Sequence, residues 1–344
     1  MSHYMMTARV IKNGEFDADP GPVRYLKIPG DRTTPGTTHV IGSKTQWFQE
    51  IRDKANTIAN GGGTTTPDAF TGDVLFYVHG FNTTQRVAFK RQVDLEKNLI
   101  AEGWKGVVVG FDWPSDNQVL NYFEDRKDGA KVAEGLVTKG LLPLATGAIG
   151  KCETNIHILA HSAGAYVVAA AFLKSLEQGK IFKSDWRIGQ VALISADISA
   201  SSLAEGHERT DPMFRRIMRL TNYQNPFDNI LAVSNAKRLG VSPRVGRVGL
   251  PANAHSKAVN VNCGAFFDTM DPGRDLSIDI EGNIPHAWYT ANRVFARDLA
   301  MTLEGAIDRK AIPTRFLKDG ELTLTDKPRP KFQDAWKLNP SQLY

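Results

Sequence analysis

A serine lies where a buried strand is predicted to turn directly into a helix. The run Asn155 to Ser162 (NIHILAHS) is apolar and of strand type, and the small-residue stretch Ala163 to Leu176 is helical in pattern. Such a tight turn strains the serine, exposes its hydroxyl, and needs small residues two positions before and after it. Ala160 and Gly164 meet this need. Ser162 is therefore predicted to be a nucleophile rather than a helix cap.

A second motif, His79-Gly80-Phe81-Asn82, ends the apolar run that starts at Asp73. In acyl transfer, the backbone N–H after such a turn points at the oxyanion that develops on the substrate. We expect the N–H groups of Phe81 and Ala163 to form this oxyanion hole. His79 is expected to support the loop rather than to act as a base.

A serine hydroxyl needs a base to activate it, and that base follows the acid in the chain order typical of this type of site. His286 lies in a Gly/Pro loop (GNIPHAWY) just before the final predicted helix, and it is the predicted base. His255, in the loop PANAHSKA, is the main alternative. His207 lies in a charged segment of helical type.

Two carboxylates compete for the role of the acid that orients the base. Asp228 follows the predicted strand that starts at Ile217, and Asp197 ends the strand that starts at Gln190. Both positions are carboxyl ends of strands, where open α/β sheets build their sites. The acid usually follows the strand before the last one, which favours Asp228 and leaves Asp197 as the alternative.

Several side chains near strand ends are candidates for lining a substrate pocket: His79, Phe111, Trp113, His161 and Trp288. The long segment after Asp228 is a candidate lid with four basic side chains, at Lys237, Arg238, Arg244 and Arg247. Metal-ligand spacings and phosphate-binding loops are absent from the sequence, so neither a metal nor another cofactor is expected.

The elements that must position these residues alternate between strands and helices. Apolar runs of strand type cover Asp73–Gly80, Gly106–Ser115, Asn155–Ser162, Gln190–Asp197, Ile217–Asp228 and Ala258–Asp268. Helical patterns lie between them, and one amphipathic helix is predicted from His286 to Ile307. This alternation indicates an α/β fold, with a mostly parallel sheet covered by helices on both faces.

The chain is predicted to have three parts. Residues 1–72 form an N-terminal extension, strand-poor and rich in turn formers, with a possible hairpin between Ala8–Ile11 and Val23–Ile28 that could supply the first strands of the sheet. Residues 73–310 form the catalytic core. Residues 311–344 form a tail packed loosely on that core.

Composition excludes several classes of protein. The 344 residues are 42% hydrophobic and 23% charged, which excludes disordered, collagen-like and coiled-coil chains. A net charge of +5 without a basic run argues against nucleic-acid binding. Two cysteines, Cys152 and Cys263, exclude a disulfide-stapled fold, and both are expected to be free thiols. Neither a signal peptide nor a membrane span is found, so a cytoplasmic protein without stable membrane insertion is expected.

The order and spacing of HGFN, FDWPS, NYFEDRKDG, ILAHSAG, ISADIS, PFD, RLG and PHAWY resemble the bacterial α/β-hydrolase family DUF900. The resemblance covers about Asp73 to Leu303. It implies an α/β-hydrolase fold with a central sheet of about eight strands, and a triad of Ser162, Asp228 and His286. It implies no substrate. Ala163 departs from the Met or Leu that such elbows often carry, and the first 72 residues show no similarity.

The function expected is a serine hydrolase of the carboxylesterase type that cleaves small ester substrates through an acyl-enzyme. Thioesterase, amidase or lipase activity on the same triad is the first alternative. The second alternative is a binding module of the same fold that has lost catalysis, which would be expected to lack a member of the triad.

Overall fold

The computed structural model describes residues 2–61, 72–115, 128–146, 154–179, 183, 185–236, 243–278, 280 and 282–329. Its strands are His3–Lys12 (β1), Glu15–Ile28 (β2), Asp73–Val78 (β3), Gly106–Asp112 (β4), Ile156–His161 (β5), Ile188–Ile194 (β6), Ile217–Gln224 (β7), Ala258–Asn262 (β8), Arg315–Lys318 (β9) and Glu321–Leu324 (β10). They form one sheet in the order β2-β1-β4-β3-β5-β6-β7-β8-β10-β9. The inner pairs are parallel, and the hairpins β1/β2 and β9/β10 at the two edges are antiparallel.

The α-helices described are Lys44–Ala59 (α1), Gln85–Ala101 (α2), Asp128–Gly135 (α3), Leu142–Thr146 (α4), Gly164–Glu177 (α5), Asp211–Phe214 (α6), Asn229–Ala236 (α7), Val245–Val248 (α8), Gly264–Asp268 (α9), Pro272–Asp275 (α10), Ile284–Ala287 (α11) and Arg293–Glu304 (α12). A π-helix, Leu136–Leu141, joins α3 to α4, and 3₁₀ turns cover Thr37–His39, Ala200–Leu203 and Trp288–Ala291. The beginning of the helical stretch predicted from Asn121 lies outside the described residues.

Each inner strand buries both of its faces. In β3, Val74, Phe76 and Val78 pack into a core shared with α1 and α5, whereas Leu75 and Tyr77 pack into a second core with α2 and α12. The burial of both faces explains why the strands read as continuous apolar runs. Strand order reverses at β3, whose neighbours are β4 and β5. Open α/β sheets bind their ligands at such a reversal, outside the carboxyl ends of the strands.

The N-terminal segment is richer in strand than its composition suggested. β1 and β2 have 10 and 14 residues and form a hairpin around Asn13 and Gly14, both of which have positive φ. An Asn-Gly pair favours this type of turn. β1 also pairs with β4 in parallel, so the first strands belong to the central sheet.

The C-terminal segment corrects the expectation of a loosely packed tail. β9 and β10 form a hairpin around Asp319 and Gly320, both with positive φ, and β10 pairs in parallel with β8. In the part of the chain that the structure describes, the sheet therefore has ten strands rather than about eight. Beneath this hairpin, Arg315 Nε donates to the carboxylate of Asp298 at 2.9 Å, and both side chains are completely buried.

Removing the cation of this buried pair is expected to destabilise the fold. Arg315→Met would leave the Asp298 carboxylate buried without its partner and lower the free energy of unfolding by about 3 to 5 kcal/mol. Urea unfolding measures this loss. Arg274→Met breaks the exposed Arg274–Asp275 pair and serves as the control, with no measurable change expected. Equal effects of the two substitutions would contradict the prediction.

Two predicted elements end earlier than expected. The last inner strand stops at Asn262, whose Oδ1 accepts from Gly264 N, and the chain then turns into α9. The helix predicted from His286 to Ile307 is divided, because Asn292 is extended and its side chain caps α12 by accepting from Phe295 N. Cys263, next to the first of these turns, is a buried free thiol, and Cys152 lies outside the described residues.

Candidate active site

Ser162 lies in the tight turn between β5 and α5. Its φ of +53° is in the left-handed region, which a residue with a Cβ rarely adopts, and this strain is typical of a nucleophile elbow. Backbone hydrogen bonds fix the turn: Ser162 N donates to Ile194 O at 3.0 Å, and Asp197 N donates to Ser162 O at 3.0 Å. A Cβ on Gly164 would lie 2.5 Å from Val78 O, so a larger residue does not fit between the turn and β3.

The loop after β3 lies directly against this turn. A Cβ on Gly80 would lie 2.8 Å from Ser162 Cβ. The loop can therefore approach Ser162 this closely only because residue 80 is glycine and has no side chain. Neither the N–H of Phe81 nor that of Ala163 donates to another group in the described part of the chain. Both predicted oxyanion donors are therefore available beside Ser162.

His286 and Asp228 form a short hydrogen bond. His286 Nδ1 donates to Asp228 Oδ2 at 2.7 Å, and the Asp228 carboxylate is completely buried. The second oxygen, Oδ1, accepts from Leu231 N at 3.0 Å at the start of α7. A carboxylate only accepts, so the proton of a neutral His286 is held on Nδ1 and Nε2 is left as an acceptor. This is the tautomer that a general base requires.

The backbone of His286 is held by two further side chains. Asn225 Nδ2 donates to Pro285 O at 2.8 Å, and His161 Nε2 donates to His286 O at 2.8 Å. The rings of His161 and His286 are 4.8 Å apart. This contact joins His286, the predicted base, to the residue that precedes Ser162, although the Ser162 hydroxyl makes no hydrogen bond within the described residues. Such a bond often forms only when substrate binds.

His161 stays neutral in this position. Burial, and next the positive charge that His286 would carry when protonated, lower the pKa of His161 well below its usual value. Its Nε2 faces a carbonyl oxygen, so Nε2 carries the proton. His161 therefore is a fixed donor that holds the backbone of His286, the predicted base.

We expect His161→Phe to lower kcat about tenfold, because the backbone of His286 loses this donor while ring packing is kept. His161→Gln is the matched control, since its amide can still donate to His286 O, and it should regain most of the loss. Because His161 does not titrate near neutral pH, the pH profile of kcat/KM should keep the same single histidine ionisation in the Gln variant. A profile shifted by His161→Gln would contradict this role.

The two alternative residues lie in other contacts. Asp197 Oδ1 accepts from the Ser234 hydroxyl at 2.8 Å and pairs with Arg244 Nε at 3.2 Å. Within the described residues, this carboxylate therefore does not bind a histidine. His255 stacks on Phe214 at 4.1 Å and accepts from Lys257 N. The structure brings together Asp228 and His286, and it does not bring Asp197 or His255 onto them.

The predicted aromatic pocket is wrong for three of its members. Phe111 at the end of β4, Trp113 just after it and Trp288 in the 3₁₀ turn before α12 have no exposed surface, because they pack in the two cores. His79 is also buried and lies under the loop after β3. Of the five candidates, His161 touches the base.

Three exposed apolar side chains lie on the segment that contains Asp228 and α7, and the sequence analysis did not single them out. Phe227, Ile230 and Val233 are 45%, 44% and 54% exposed, and they lie next to Asp228 and along α7. Their spacing of three residues is the only sequence signal, and it is equally typical of a buried helix face. Lys237 and Arg238 lie outside the described residues, and Arg244 is paired with Asp197.

Metal ligands and membrane spans were sought among the described residues. No group of three or more His, Cys, Asp or Glu side chains there could hold a metal ion. Likewise, no helix in the described ranges has both the length and the apolar composition needed to cross a membrane.

Two solved structures are similar to the chain at low identity. A protein named as a cell surface hydrolase of Lactobacillus plantarum WCFS1 is 9% identical, with 72% of this chain and 94% of that chain covered and a TM-score of 0.32. The metagenomic carboxyl esterase MGS0156 is 12% identical, with 75% and 89% covered and a TM-score of 0.32. These TM-scores are too low to carry an argument about function. None of the curated proteins matches the chain.

The sequence matches a described family over more than half of its length. Residues 65–268 match the family described as alpha/beta hydrolase of unknown function, DUF900. The matched segment contains Ser162 and Asp228, and His286 lies beyond its end. The mostly parallel sheet with helices on both faces fits the same fold. The chain therefore belongs to the DUF900 family of alpha/beta hydrolases.

Proposed function

We propose that this protein is a serine hydrolase that cleaves carboxylic esters through an acyl-enzyme on Ser162. The observation that carries the proposal is the 2.7 Å bond from His286 to the buried Asp228. His286 also contacts His161, which directly precedes a serine held at φ +53°. A buried carboxylate that accepts from a histidine beside a strained serine is the arrangement that activates a hydroxyl nucleophile.

The reaction would proceed in two steps. Ser162 Oγ attacks the acyl carbonyl while His286 Nε2 takes its proton, and the N–H groups of Phe81 and Ala163 stabilise the oxyanion. His286 then returns the proton to the leaving alcohol, and the acyl group remains on Ser162. A water molecule, deprotonated by His286, releases the acid. Asp228 holds the imidazole in place and stabilises its charged form throughout.

Esters with an apolar acyl group fit the surroundings of the site best. Phe227, Ile230 and Val233 form a partly exposed apolar surface that starts beside Asp228, and burying apolar groups of a substrate there would be favourable. Thioesters and amides would use the same groups, and they are included in the test for this reason.

The test is turnover and covalent labelling of the purified protein. We expect hydrolysis of p-nitrophenyl butyrate and octanoate to exceed that of the acetate, and a fluorophosphonate probe to add to the peptide that contains Ser162, as read by mass spectrometry. A folded protein that hydrolyses none of these esters would refute the ester proposal. Turnover of the matched thioester or anilide alone would move the function to thioester or amide cleavage.

A further inference from the structure

The buried His79 is held at each of its polar atoms on the inner side of the loop after β3. Its Nδ1 lies 2.8 Å from Gly80 O, and its Nε2 accepts from Trp113 N at 3.1 Å. Its carbonyl oxygen accepts from the indole Nε1 of Trp113 at 2.8 Å, and the two rings are stacked. A carbonyl oxygen only accepts, so Nδ1 is the protonated nitrogen and donates to Gly80 O.

This bond determines the direction of the next N–H group. Gly80 O and Phe81 N–H belong to one peptide unit, which is planar and trans, so they point in opposite directions. With Gly80 O held toward the His79 ring, the Phe81 N–H points away from that ring. It donates to no other group among the described residues. Gly80 is also the residue whose α-carbon approaches Ser162.

The N-terminal hairpin supports the same loop through a buried carboxylate. Asp112 accepts from Arg9 Nε at 2.9 Å and from the Thr7 hydroxyl at 2.7 Å, both on β1. Arg9 also donates to Thr83 O at 3.2 Å, four residues after His79. Burial opposes ionisation most strongly, but the charge of Arg9 and the hydrogen bonds to Asp112 together outweigh it and lower the pKa of Asp112 to about 2, so the pair stays charged.

We propose that His79 is a positioning residue, which aims the Phe81 N–H at the oxyanion by holding Gly80 O, and that Arg9 and Thr7 of the N-terminal hairpin hold this assembly in place. The proposal rests on the proposed function, since an oxyanion forms only if Ser162 attacks a carbonyl. In this proposal β1 supports catalysis by holding the loop after β3, without contacting the substrate. The proposed role also differs from a general structural role, because a single donor atom, His79 Nδ1, holds Gly80 O.

The experiment compares three substitutions of His79 with a matched histidine elsewhere. His79→Ala should lower kcat for p-nitrophenyl butyrate about 10²-fold with KM within about threefold, because the interaction lost belongs to the transition state. His79→Asn places an amide donor near the position of Nδ1, and its kcat should be within about tenfold of wild type. His79→Gln places its donor near Nε2, where Trp113 N already donates, and should be as slow as the Ala variant.

His157 provides the control, because it is equally buried but lies near the start of β5, at the opposite end of the strands from His79. There it contacts the Asp73 carboxylate and Gln190 N. His157→Ala should lower thermal stability yet change kcat by less than about threefold. Equal kcat losses for all three His79 variants, or a comparable loss for His157→Ala, would overturn the proposal. If His79→Ala does not fold, the comparison of Asn with Gln decides.

Crystal structures separate this proposal from the proposed function. The Gly80–Phe81 peptide should keep its direction in His79→Asn and turn in His79→Ala, or in His79→Gln if the Ala variant does not fold. An unchanged peptide in the variants that lack the Nδ1 donor would overturn the positioning role, whether or not the wild type hydrolyses any ester. An inactive wild type with a peptide that turns as expected would refute the ester proposal and leave the positioning of the peptide by His79 supported.

Discussion

Replacing Ser162 with alanine is expected to lower kcat for p-nitrophenyl butyrate by about 10⁴- to 10⁶-fold, because the acyl-enzyme can no longer form. Labelling by a fluorophosphonate probe should disappear with it. The fold should be kept, since alanine has the same Cβ at the same φ of +53° and the Ser162 hydroxyl makes no hydrogen bond within the described residues. Stopped-flow and long-incubation assays, together with circular dichroism, measure these outcomes.

The chain contains a closely matched control serine. Ser195 also has a positive φ, of +43°, is completely buried, and follows β6, the strand next to β5. Its hydroxyl donates to Tyr289 OH at 3.5 Å, and it makes no hydrogen bond to His286 among the described residues. Ser195→Ala should keep kcat within about threefold of wild type. Retained activity in Ser162→Ala, or an equal loss in Ser195→Ala, would mean that Ser162 is not the nucleophile.

The candidate nucleophile and base could be predicted because their signals are local. The strand, the small residues around Ser162 and the following helix are all adjacent in the chain, and the loop with His286 lies just before the last helix. The contacts that hold the base could not be predicted in this way. Asn225 and His161 are 60 and 125 residues from their partners, and an Asn before a Pro reads as an ordinary turn residue.

Burial was the hardest property to predict from the sequence. Phe111, Trp113 and Trp288 lie near strand ends, where side chains can face either a site or a covering helix, and the sequence alone does not separate these cases. In the edge hairpins, the turns could be recognised from the sequence, but the strands they pair with could not. Their turns, Asn13-Gly14 and Asp319-Gly320, are recognisable pairs, but the pairing of β1 with β4 and of β10 with β8 joins distant segments.

Taken together, these contacts hold His286, the proposed base, at three points. Asp228 holds the imidazole of His286, His161 holds its carbonyl, and Asn225 holds the carbonyl before it. Fixing a catalytic group in advance lowers the cost of reaching the transition state, because less freedom is lost during the reaction. Only the first of these contacts changes the charge distribution on the imidazole, so its removal should have the larger effect.

Asp228→Asn is therefore expected to lower kcat about 10⁴-fold. The amide can keep Oδ1 as the acceptor for Leu231 N at the start of α7, which preserves the fold, but its NH₂ group then faces His286 Nδ1. A donor at this place favours the tautomer with the proton on Nε2, and that tautomer cannot accept a proton from Ser162. The loss should appear in kcat with little change in KM.

Asp197→Asn distinguishes this effect from the loss of any carboxylate near the elbow. Asp197 N donates to Ser162 O, so the backbone of Asp197 directly contacts that of the proposed nucleophile. In the variant, the Asn side chain can still accept from the Ser234 hydroxyl. It should lose only the charge opposite Arg244 and keep kcat within about tenfold of wild type. If Asp197→Asn were the slower of the two enzymes, the acid would be Asp197, and His286 would have to leave its contact with Asp228 during the reaction. The 2.7 Å bond to a completely buried carboxylate makes that movement costly, because it would leave Asp228 charged and without its histidine.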